Sequence, residues 1–176
     1  MGRVVFSMGL LVLFVNSCVG AGSYPSTSGK QPPVITRSYA PDKGAYGQTW
    51  KIYIEAEDPD GDMFKITSEL QQEGVRYQKS VDTLFVKKRD QKYLKGYLAL
   101  DTYFLREPSL SVSPRIALKV SISDKAGNES KTAVFYFEFT GKTSEPTPLP
   151  PPFDQGDIPN LGNILIEGKY PPPRSD

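Results

Sequence analysis

The densest group of hard oxygen donors in the 176-residue chain is Asp58, Asp60 and Asp62, alternating through Asp58-Pro59-Asp60-Gly61-Asp62. Calcium takes six to eight oxygens, and three alternating carboxylates in a tight loop would supply part of that shell. Glu57 and Asp124 would add to it if their loops meet at one end of the fold. The same letters also spell a preferred turn: Asp side chains cap backbone N–H groups and Gly supplies a positive φ. No Glu stands where an EF-hand would need it. Calcium is thus the only cofactor the sequence suggests, and turn chemistry competes with it.

The rest of the inventory is poor in catalysts. There is no histidine, which removes the commonest general base and every Ser-His or Cys-His pair. One Cys excludes an internal disulfide and a Cys-ligated zinc or iron–sulfur centre. Glu55 and Glu57 are a carboxylate pair of the type glycosidases use, but alternation puts them on the solvent side of one strand rather than across a cleft. The chain reads as a non-enzyme. A net charge of +1 gives no case for nucleic acid. The local basic run Lys87, Lys88, Arg89, Lys92 and Lys95 suits an anionic lipid or acidic polysaccharide, or else a lysine-protected sheet edge.

Residues 1–22 read as an export signal. Arg3 precedes an apolar run of 12 residues, Val4–Val15, too short for a bilayer span but suited to a signal core. Val15-Asn16-Ser17-Cys18 resembles a bacterial lipobox, although Asn16 departs from the usual small residue. That reading makes Cys18 an acylated membrane anchor. Cleavage after Val19-Gly20-Ala21 is the alternative and discards Cys18. Residues 23–30 form a flexible spacer rich in Ser and Gly.

Residues 31–141 alternate with period two, the mark of half-buried strands. Trp50, Ile52, Ile54 and Ala56 alternate with Lys51, Tyr53 and Glu55. Ile66, Ser68 and Leu70 continue a face begun by Phe64. Leu94–Leu100, Ile116–Ile122 and Ala133–Phe139 follow suit, and Val34–Arg37 and Thr83–Lys88 complete about seven strands. The expected fold is all-β, an immunoglobulin-like two-sheet sandwich. Ile116–Ser130, ending in Asp124-Lys125-Ala126-Gly127-Asn128-Glu129-Ser130, resembles the final hairpin of bacterial immunoglobulin-like and fibronectin type III-like domains. Ala56-Glu57-Asp58-Pro59-Asp60-Gly61-Asp62 resembles the turn after the second strand in such modules, cadherin-like ones included. The resemblance implies a sandwich and little about function, because these sandwiches host many roles. With no disulfide available, Trp50 and the Phe135/Phe137/Phe139 row must fill the core.

Residues 142–176 form a proline-rich tail with nine prolines. Its apolar members Phe153, Ile158, Leu161, Ile164, Leu165 and Ile166 exceed what a solvated linker needs. They are expected either to engage a partner, adding to its sheet edge or filling a groove, or to pack back on the sandwich. The functional expectation is a membrane-tethered binding or structural module of the bacterial envelope. It would contact an envelope protein or cell-wall component through its tail, and its oligomeric state is left open. The alternatives are a soluble exported adhesion module dependent on calcium or carbohydrate, and an accessory subunit of a secreted enzyme or transport complex.

Overall fold

The computed structural model describes residues 31–72, 79–104, 115–140 and 148–166; the signal segment, Cys18 and the spacer lie outside them. Two sheets face each other. The first has four strands in the order β1 (Val34–Tyr39), β3 (Thr49–Glu57), β6 (Tyr93–Asp101), β9 (Asn160–Asn163). The second has five in the order β2 (Lys43–Gly44), β8 (Ala133–Phe139), β7 (Arg115–Asp124), β4 (Met63–Gln72), β5 (Lys79–Phe85). This is the immunoglobulin-like sandwich expected. The inward faces bury Trp50, Ile52, Ile54, Leu98, Leu118 and Phe137 as one core. Trp50 and Phe137 lie 5.0 Å apart across it, and Phe137 meets Phe139 edge-on at 5.2 Å. The indole N–H is satisfied by donating to Pro41 O at 2.8 Å, as a buried tryptophan requires. Aromatic volume thus stands where a disulfide would.

The described residues form nine strands rather than about seven, and both additions escape alternation. After Tyr39 the chain leaves the first sheet and β2 joins the second, parallel to β8. Glu138 N and Thr140 N donate to Asp42 O and Gly44 O at 2.8 Å. A side chain at Gly44 would stand 2.7 Å from the Phe137 ring, so only glycine admits this crossing. The other addition, β9, comes from the tail and runs parallel to β6.

Two strand expectations need correction. The register of β4 slips between Met63 and Lys65, a bulge that buries Met63 and turns Phe64 outward. One extra residue inverts the face of all before it. The strand expected at Thr83–Lys88 spans Lys79–Phe85 instead. Past Phe85 the ladder ends: Val86 N donates to Phe64 O at 2.9 Å, and Lys88–Asp90 close a single 3-10 turn. Lys87, Lys88, Arg89 and Lys92 therefore occupy a turn rather than a protected edge, and Lys95 lies within β6.

The described part of the tail belongs to the sandwich. Tyr97 N donates to Pro159 O at 2.9 Å and Ile164 N to Ala99 O at 2.8 Å, so the segment is stitched along β6. A boundary at residue 141 between domain and tail does not separate two independent structures, since Ile164 and Ile166 join the common core.

Candidate functional site

The turn after β3 meets the turn after β7 at one end of the sandwich, where Lys125 N donates to Asp62 O at 3.2 Å. The loops converge as a calcium cage would require, but their carboxylates have other work. Asp58, only 1% exposed, accepts Asp60 N on Oδ1 at 2.9 Å and Asp62 N on Oδ2 at 3.2 Å. Its carbonyl accepts Gly61 N at 3.1 Å, with Gly61 at φ 70°. Asp60 lies exposed and accepts Gln31 N at 2.6 Å. Among the described residues no group of three or more His, Cys, Asp or Glu side chains is disposed to hold a metal ion. Of the three, Asp58 fills the turn-capping role that competes with calcium, and Asp60 accepts from a distant backbone N–H.

The turn after β7 repeats the device. Asp124 Oδ1 accepts Asn128 N at 2.8 Å, Oδ2 accepts the Asn128 side-chain amide at 2.7 Å, and Gly127 takes φ 90°. Ser130 Oγ accepts Ile122 N at 3.0 Å, returning the chain to the ladder. The Asp and Ser side chains of Asp-x-Ala-Gly-Asn-x-Ser therefore close backbone bonds, and the Asn side chain holds the Asp carboxylate. Burial pushes the Asp124 carboxyl up, but the amides of Asn128, Ala126 and Gly127 together outweigh it, and its pKa lies below the usual aspartate value.

Glu55 and Glu57 do not face each other across a cleft. Both lie on the outer face of β3, where Glu55 sits between Arg37 and Lys95 on the neighbouring strands. The Tyr93 hydroxyl donates to Glu55, which raises the Tyr93 pKa, chiefly through that bond. This is cross-strand pairing.

The tail residues divide by position. Phe153 lies on the outer face of the first sheet, 5.6 Å from Tyr53, and it explains why Tyr53 is buried although alternation turns it outward. Burial, then the neighbouring Tyr97 and Tyr39, raise the Tyr53 pKa. Ile164 and Ile166 enter the core and Leu161 packs against it half-buried. Phe153, Ile164 and Ile166 thus pack back on the sandwich, the second of the two roles expected for the tail, because β6 offers an open edge and an uncovered face within reach. Ile158 is half-buried, and Leu165 alone of the six stands well exposed.

Sequence reasoning missed the shallow groove that results, about 500 Å³ lined by Lys51, Tyr53, Tyr97, Phe153, Asp154 and Asp157. Its signal was Tyr53 alternating with lysine under a Phe that follows three prolines. The groove offers little stacking surface: Tyr53 is enclosed by Tyr39, Tyr97 and Phe153, and Lys51 Nζ lies 4.8 Å over the Tyr97 ring.

No family model and no curated protein matches the chain. Among solved structures, it is similar to the PKD domain of an M14-like peptidase from a Thermoplasmatales archaeon. That match has 15% identity and a TM-score of 0.38, covering 63% of this chain and 98% of that one. It is also similar to the CARDB domain of a Pyrococcus furiosus protein, solved in complex with di-metal ions. There the identity is 8% and the TM-score 0.31, covering 67% and 95%.

Proposed function

We propose that the chain is a non-catalytic binding or structural module of the bacterial cell envelope, exported through residues 1–22 and tethered by a lipid on Cys18. The reading is supported above all by how the sandwich uses its buried carboxylates. Asp58 and Asp124 spend their oxygens on backbone N–H groups of their own turns, so neither is held in reserve for proton transfer or a metal. Val15-Asn16-Ser17-Cys18 and the polar spacer after it support the tether. A lone Cys in an exported chain lacks a disulfide partner, and acylation gives it a role. The partner is an envelope protein or cell-wall component, met through a surface other than the core-facing tail.

Intact-mass and N-terminal peptide analysis of the protein recovered from the membrane fraction tests the tether. An acylated Cys18 as first residue is expected. A mature chain beginning at Gly22 would overturn the anchor and leave a soluble exported module.

A further inference from the structure

We propose that Phe64, Phe85 and the basic turn that follows form a docking face for an anionic lipid bilayer, independent of any lipid on Cys18. Phe85 ends β5 and is 69% exposed; Phe64, turned out by the β4 bulge, is 41% exposed. Their ring centroids lie 5.2 Å apart with the planes tilted by 60°, and Lys65 stands directly across from Phe85. Isolated apolar residues on a surface need no explanation, but a paired aromatic patch beside a charge cluster does. Residues 85–95 carry five cations, Lys87, Lys88, Arg89, Lys92 and Lys95, against the single acid Asp90, which lies 3.6 Å from Arg89. Phe85, Lys87 and Arg89 border one small recess on the open side between β5 and β6, whereas Lys95, which also borders it, stands opposite Glu55 on the first sheet. On the adjoining loop the exposed charges are Asp60 and, beyond it, Lys125.

A polyanion would explain the cations and leave the rings idle. A bilayer interface uses both, since aromatic rings sink to the headgroup boundary while lysines meet anionic phosphates. Each basic residue near such a surface is worth about fivefold in binding.

The test takes the unlipidated chain Gly22–Asp176 and measures co-sedimentation with vesicles of phosphatidylcholine, with and without about one-third phosphatidylglycerol. Binding to the anionic vesicles alone is expected. Lys87→Glu with Lys88→Glu and Arg89→Glu should weaken it at least about fiftyfold, and Phe64→Ser with Phe85→Ser about tenfold. No binding overturns the proposal. So does binding that ignores the serine changes and is matched by soluble polygalacturonate, which would assign the face to a polyanion. Phe85→Trp, which keeps the ring, gives a readout independent of the folding of those variants. Its emission should be quenched by brominated lipid in anionic vesicles, and an unquenched, bound protein would also overturn the proposal. Failure here leaves the Cys18 tether untouched, because that rests on mass alone.

Discussion

The outer strands β6 and β5 flank one open side of the sandwich, and the same tail treats them differently. To β6 it gives a parallel strand, with Tyr97 N donating to Pro159 O, Ile164 N to Ala99 O, and Leu161 seated over Gly96. To β5 it gives only side-chain bonds: Leu165 N donates to Asp82 Oδ2 at 2.8 Å and Ser80 Oγ to Leu165 O at 3.4 Å. A sealed edge adds backbone pairing and buried area and removes a site of aggregation. An edge met by side chains keeps its far end open, and it is at that end that Phe85 and the basic turn emerge. One edge is therefore structure, the other surface, and changes at the two should separate cleanly.

Deleting residues 142–176 should have the largest effect. It uncovers the β6 edge and removes Phe153, Ile164 and Ile166, each worth about 1.5–3 kcal/mol of burial, together at most about 9 kcal/mol. That approaches the whole stability of an ordinary domain. The expected outcome in urea unfolding and gel filtration is an unfolded or aggregated protein; a cooperative transition at the wild-type midpoint would show the tail to be a passenger. Gly96→Val attacks the same seam without deletion. Its Cβ would stand 2.5 Å from Leu161 and 2.7 Å from the Pro159 carbonyl oxygen, and the backbone oxygen has no rotamer to escape into. A loss of about 3 kcal/mol is expected, with faster proteolysis in 148–166.

These contrasts also show where the sequence was readable. Alternation exposed the long strands because each has one buried face: Ile116 to Ile122 needs nothing beyond period two. It could not find β9, since Asn-Leu-Gly-Asn has neither alternation nor β-propensity. That strand exists because Gly96, more than sixty residues earlier, leaves room for Leu161. Tyr53 and Phe64 fail for opposite reasons. The first is buried by a ring from a distant segment, the second exposed by a bulge that no local pattern marks. The two acidic turns were legible as turns from Asp and Gly, but choosing capping over cation binding required knowing that Asp58 aims both oxygens at its own loop.

Those turns supply a smaller effect. Asp124→Ala leaves the amides of Asn128 without their acceptor at a nearly closed site, and about 2 kcal/mol should be lost. The pH dependence has a definite sign. Because the folded pKa is depressed, Asp124 contributes its full stability above the unfolded aspartate value, about 3.9, and loses it as pH falls through the lower folded value. Melting temperature should therefore drop below about pH 4, and Asp124→Asn should flatten part of that slope. Asp60→Ala, at an exposed carboxylate, should stay within about 0.5 kcal/mol. EDTA should leave the midpoint unmoved; a fall would restore a cation to Asp58–Asp62.

The smallest expected change is the one that sharpens the contrast most. Phe85 carries as much apolar surface as Phe153, yet its ring touches chiefly Phe64 and water. Phe85→Ser should shift the unfolding free energy by less than about 0.5 kcal/mol, whereas Phe153→Ser should cost about 3 kcal/mol by uncovering Tyr53. Equal losses would mean that the open end of β5 is load-carrying core after all, and a patch needed for folding would be a poor place for a reversible contact. A neutral Phe85→Ser leaves a large aromatic maintained on the surface without return in stability. Such a ring is free to make a contact outside the molecule, in company with the cations beside it.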